Sequence, residues 1–276
     1  MTLSASRIAI ARSEAARIAR PARRAAAVGA FVVLSLGIAA VGAVAARAGI
    51  VPPLLPFVLA IGPAVVAVAL AAREGNGAVR RLLASAKTGP VERRWWAALA
   101  IPVLGTLAVV PIAVALGQPS VDLFSKIFPA IVIVPLVVLI PAFTEEIAWR
   151  GFALKQLMTT ISPLRASILL AVPWVVLHLV LFLPGQMHEA LPVWPSVVGV
   201  SSLAIIGSWL YVRSGGSVLL VGLFHALFNG TTPLMSGIDS NVTWELRALV
   251  FAGVAIAVLV LGGFRGTQAG EVRRSA

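Results

Sequence analysis

The sequence predicts an all-α fold, a polytopic transmembrane helix bundle of about eight spans with cytoplasmic N and C termini. Three observations predict it: a composition too apolar for a soluble surface, apolar runs long enough to cross a bilayer, and a lopsided placement of Lys and Arg. Of 276 residues, 59% are hydrophobic and 12% charged. A soluble domain is about half apolar and about a quarter charged. A surface facing water needs more polar cover than this chain has; a surface facing lipid does not.

A spanning helix needs about 20 mostly apolar residues. Runs of that kind fall near Ala27–Ala46, Pro53–Ala72, Trp96–Leu116, Phe128–Phe143, Ala166–Leu183, Val197–Val212, Val218–Leu234 and Ala248–Phe264. Three regions follow: a basic cytoplasmic arm over 1–26, a bundle over 27–264 with its working core at about 140–232, and a cytoplasmic tail over 265–276. The first 24 residues read either as an interfacial amphipathic helix or as a solvated arm.

Charge orients the bundle. Net charge is +12, from 22 Lys and Arg against 10 Asp and Glu. The basic residues interrupt apolar runs rather than forming one patch, which excludes a nucleic-acid partner. With eight crossings, clusters at Arg7–Arg24, Arg73–Arg94, Arg150–Arg165, Arg213 and Arg265–Arg274 fall on one side, leaving Arg47, Lys126 and Arg247 on the other. Lys and Arg accumulate on the cytoplasmic side of a membrane. No cysteine is present, so thiol chemistry and disulfides are excluded. Heavy use of Ala, Val, Leu and Arg suggests a bacterial cell membrane as the setting.

The informative residues are polar ones within apolar spans, where ionisable groups are costly and usually functional. Glu145 and Glu146 end one apolar run and open Glu145-Glu146-Ile147-Ala148-Trp149-Arg150. Residues four apart share a helix face, so Glu146 is expected to pair with Arg150. That leaves Glu145 about 100° around the helix. A carboxylate taken out of water becomes a stronger base. His178 lies in Trp174-Val175-Val176-Leu177-His178, and His225 and Asn229 share a face in His225-Ala226-Leu227-Phe228-Asn229. Both of the latter side chains can donate to a developing oxyanion. His188 falls between Pro184 and Pro192 and reads as a loop residue without a role; Arg213–Ser217 reads as a tight turn, and Trp95, Trp96 and Trp244 as interface anchors.

Glu-Glu-x-x-x-Arg, aromatic-x-x-x-His and His-x-x-x-Asn, each on its own span, resemble the CPBP family of CAAX-endopeptidase-like intramembrane proteases, over Phe143 to Asn229. Trp174 stands where that family usually has Phe, which reads as a conservative change. The resemblance implies an intramembrane endopeptidase acting on a membrane-associated or lipidated peptide or protein. Glu145 would activate water, His178 would help hold it, and His225 and Asn229 would form the oxyanion site. Glu146, Arg150 and Trp174 would support them. A metal-free mechanism is expected; zinc held by Glu145, His178 and His225, with an open fourth position, stays as the alternative. The active site is expected to open toward the cytoplasm. Two other readings stand beside the enzyme: a scaffold or immunity protein on the same fold, and a small proton-coupled transporter.

Overall fold

A computed structural model describes the backbone of residues 2–50, 55–75, 77–86, 91–127 and 138–265, and side chains from residue 21 onward. Among them seven helices are long and apolar enough to cross a membrane, and they match seven of the eight expected spans. The remaining one, Phe128–Phe143, lies mostly outside the described residues.

The first helix, α1 (Thr2–Arg47), runs without a break through the expected arm into the first span. It packs on α2 (Leu55–Glu74). A short α3 (Ala78–Ala84) then leads to α4 (Arg93–Ala115). The next helix, α5, begins as an ordinary α-helix over Leu139–Glu146 and passes into a π-helical stretch at Ile147–Leu154. Four further helices follow: α6 (Pro163–Phe182), α7 (Val193–Arg213), α8 (Val218–Gly230) and α9 (Ser240–Val260). Pro163 opens α6 at its first turn, where a missing N–H costs nothing.

The turn between α7 and α8 forms as its sequence predicts. Gly215 and Gly216 take positive φ angles of 74° and 91°, which favour glycine. The Ser217 hydroxyl then accepts from Leu220 N at 3.2 Å and caps α8.

Contacts between loops define two ends of the bundle. At one end Gln156 donates to Glu74, Val218 N to Ser85 O, and Arg213 to Gly263 O. At the other, Asp239 N donates to Gln118 Oε1 and the His188 ring packs on Trp244. The first end gathers Arg73, Arg93, Lys155, Arg165, Arg213 and Arg265, whereas Arg47, Lys126 and Arg247 belong to the second. The alternation predicted from the Lys and Arg pattern is therefore present.

α5 is the central element, packed against α2 and α8. An aromatic line fastens it sideways: Phe31 of α1 meets Trp149 edge-on at 5.0 Å, and Trp149 meets Trp174 of α6 at 6.2 Å. Gly222 is what lets α8 close on α5. A Cβ there would stand 2.9 Å from the Phe143 ring, well inside contact distance. This close approach brings His225 down to the level of the two glutamates.

Candidate active site

The two carboxylates of α5 have different partners. Glu146 is 1% exposed, and its Oε1 accepts both from Arg150 at 2.9 Å and from His225 Nδ1 at 2.9 Å. The expected Glu146–Arg150 pair thus forms, and it is also the clamp on the histidine. Arg150 reaches further to Leu203 O at 3.2 Å and Ala204 O at 3.4 Å on α7, and stacks 4.4 Å over the Trp174 ring. Gly207 makes room for it, since a Cβ at that position would lie 2.9 Å from its guanidinium. One buried ion pair therefore ties four helices together.

Glu145, turned away from that pair, accepts from the Trp174 indole N–H at 2.8 Å through Oε2. This corrects the reading of Trp174 as a conservative replacement. Phenylalanine would fill the same space, but it has no N–H to give a carboxylate. The signal was present in the residue type: tryptophan in an apolar span brings an N–H donor that phenylalanine lacks. The same ring meets His178 edge-on at 5.5 Å and His225 edge-on at 5.8 Å. Trp174 is thus the common wall of the site.

The histidines are fixed through Nδ1. His178 Nδ1 lies 2.8 Å from Trp174 O, one turn back on α6. A carbonyl only accepts, so Nδ1 carries the proton and Nε2 of the neutral ring has a free lone pair. By the same argument His225 Nδ1–H donates to Glu146. Glu145, His178, His225 and Asn229 all line one cavity of about 540 Å³. The structure therefore brings the four sequence-selected residues onto a common space, from three helices.

For the zinc alternative the donors would be Glu145, His178 and His225. One Glu145 oxygen is held by Trp174, and among the described residues no three His, Asp or Glu side chains group closely enough to hold an ion.

The cavity also includes residues the sequence reading passed over. His188 is in a loop, as expected, but its ring lines the cavity between Phe182 at 5.3 Å and Trp244 at 4.9 Å. Burial, then the nearby His178, pushes its pKa down to about 4. Trp244 is part of this wall as well as lying near a span end. Arg247 lines the cavity and is 5% exposed. Its sequence signal was an arginine opening an apolar span with no acid three or four positions away.

The lining residues come from the start of α2, α5, α7 and α9, the ends of α6 and α8, and the loop at 187–188. All of these lie toward the end of the bundle opposite the clustered basic residues. With cytoplasmic termini, the cavity would lie nearer the opposite face of the membrane.

Comparison with known proteins agrees with the motifs. Residues 127–231 match the family model described as type II CAAX prenyl endopeptidase Rce1-like. The chain is also 26% identical over 125 residues to CAAX prenyl protease 2 of Methanococcus maripaludis, covering 43% of this chain and 46% of that protein. The match thus spans just under half of that curated relative.

Proposed function

We propose, from the premise that residues 127–231 form an Rce1-like region, that this chain is an intramembrane endopeptidase using Glu145 to activate water. The observation that carries the reading is the convergence of Glu145, His178, His225 and Asn229 on one cavity within an apolar bundle. Glu145 takes a proton from water as its oxygen attacks the peptide carbonyl. His178 Nε2 accepts the other water hydrogen and orients the lone pair. Asn229 donates its amide N–H to the oxyanion. With Nδ1 committed to Glu146, His225 offers a second N–H only when doubly protonated, and the Glu146 carboxylate is the counter-ion that such a ring needs. Glu145 then passes its proton to the leaving amine.

Glu145→Gln keeps the Trp174 contact but cannot take a proton. Cleavage of a quenched fluorescent peptide pool by the purified protein should fall by roughly 100-fold or more. Chelator should leave the rate unchanged. Full activity in the variant would defeat the glutamate mechanism, and a chelator loss reversed by zinc would defeat its metal-free form.

The site's facing follows from the two ends. The charge asymmetry favours cytoplasmic termini, so we propose that the cavity opens on the extracytoplasmic side. The substrate class is then a membrane or secreted peptide reached from that side. The native chain has no cysteine, so Met187→Cys, in the exposed loop at the mouth, gives a single reporter. A membrane-impermeant maleimide should label it in intact cells. Labelling only after lysis would reverse the orientation.

A further inference from the structure

Helix α7 carries a glycine that packing among the described residues does not explain. Glycine inside a helix is unfavourable relative to alanine, so it usually marks a close approach. Three other helix glycines show such a neighbour. A Cβ would stand 2.9 Å from the Phe251 ring at Gly105, from the Arg150 guanidinium at Gly207 and from the Phe143 ring at Gly222. At Gly199 a Cβ would meet nothing within 4 Å among the described residues. Gly29, Gly37 and Gly253 are equally open, but they are exposed and line no part of the cavity. Gly199 lines it.

A polar side chain belongs to the same face. Ser196 lies three residues before Gly199, one turn away. It is 6% exposed and lines the cavity. Ser202, further along α7, returns its hydroxyl to Val198 O at 2.7 Å. Ser196 makes no such bond among the described residues. A buried hydroxyl without a partner is costly, so it is suited to a polar group on whatever fills the cavity. Pro195, Val200 and Leu203 complete this lining face of α7.

We propose that Gly199 and Ser196 form a specificity subsite for the peptide cut at Glu145; the proposal rests on the endopeptidase reading above. The gap at Gly199 admits a bulky apolar side chain, and the Ser196 hydroxyl bonds the peptide main chain beside it. A peptide suits this wall better than a lipid tail, because a hydrocarbon chain gives Ser196 nothing to bond. Leu203 O accepts from Arg150, which holds Glu146 and through it His225. Leu203 therefore marks the level of the buried cluster. Gly199 lies four residues before it, about 6 Å along the helix. An extended peptide advances about 3.3 Å per residue. The side chain received at Gly199 is thus about two residues from the attacked bond.

The test uses alanine-rich decapeptides, blocked at both ends, with one Phe moved through the sequence. Mass spectrometry locates the cut. In the wild-type protein, kcat/KM should be roughly 10- to 100-fold higher with Phe about two residues from the cut than with Ala there. Gly199→Leu fills the gap and should bring that ratio to about one or below. Gly199→Ala should lower it part of the way. The ratio is taken within each protein, so a general loss of activity cancels. A wild-type ratio near one, or a ratio that neither variant moves, overturns the proposal. Gly199→Ala also reads the fold. Its unfolding midpoint should not fall, because alanine favours the helix and no described atom stands in its way. A fall would assign the glycine to packing within the chain and overturn the subsite. Ser196→Ala should raise KM for Phe and Ala peptides alike, roughly 3- to 10-fold; an unaltered KM overturns the main-chain contact.

Binding separates this proposal from the protease reading. Protein carrying Glu145→Gln, with and without Gly199→Leu, is titrated with the same peptides by calorimetry. Phe-selective binding that Gly199→Leu removes, with no peptide cut by the wild type, would uphold the subsite and defeat the protease. Cleavage without Phe preference in either rate or binding would do the reverse. Copurified phospholipid lost from Gly199→Leu, with no Phe preference in the wild type, would give the gap to a lipid tail and overturn the assignment.

Discussion

Arg150 and Arg247 are both buried arginines of one apolar bundle, 2% and 5% exposed, yet they end in opposite situations. Arg150 sits one turn from Glu146, and the pair holds His225 and bonds α7. Arg247 meets a hydroxyl, a carbonyl and an aromatic face, but no carboxylate among the described residues. The difference teaches that burial of a charge alone says little. What matters is whether the fold supplies the counter-charge or leaves that to something else. The inner cluster is neutralised within the fold; the outer one lines the same cavity without a counter-charge among the described residues.

The sharpest way to break that contrast is to remove the inner counter-charge. Glu146→Gln leaves Arg150 a buried cation without a carboxylate and His225 without its clamp. Breaking a buried pair from one side costs about 3–5 kcal/mol. Thermal unfolding of the detergent-solubilised variant should show a large drop in midpoint, together with loss of cleavage. Adding Arg150→Met should restore much of the stability, because no charge is then orphaned, but not the cleavage, because His225 is still unheld. A double variant that regains full activity would show that Glu146 serves only to neutralise Arg150.

A smaller effect is expected at the wall between the clusters. Trp174→Phe keeps the ring contacts with both histidines and deletes only the N–H to Glu145. A hydrogen bond to a charged group is worth about 1.5–3 kcal/mol, so kcat should fall by roughly tenfold or somewhat more with KM little changed. An unchanged kcat would mean that Glu145 is positioned without the indole.

These two sites also mark how far the sequence could be read. The spans were legible because lipid demands long apolar runs, and lipid-facing residues such as Val65, Leu104 and Ile256 remain exposed on the bundle. The Glu146–Arg150 pair was legible because helical spacing is local. So was the shared face of His225 and Asn229. The Glu146–His225 bond joins positions 79 apart, and no local rule reaches that far. Nor does any periodicity announce the π-helical turn at Ile147–Leu154, a distortion common at functional sites. Which end of the bundle the cavity lies toward was not legible, because it depends on how the spans lean on one another. Which ends lean apart is a property of packing, set by close contacts such as Gly222 on Phe143.

The smallest expected effect tests the outer cluster through pH. His188 has its pKa lowered from 6.5 to about 4, because burial between aromatic rings disfavours the charged ring and His178 adds to this. Between those two values the unfolded chain binds more protons at this site than the folded one, so stability rises with pH there. The contribution is fully present above about pH 6.5 and is lost as pH falls toward 4. The side chain is partly exposed, so solvent screening makes the effect modest. The unfolding midpoint of the wild type should decline from pH 7 to pH 4.5. His188→Phe should flatten part of that decline while keeping the packing against Phe182 and Trp244. An identical slope in the variant would mean that His188 stays neutral at no cost to the fold. The outer cluster would then have one ionisable member, Arg247, and the contrast with the inner cluster would rest on that residue alone.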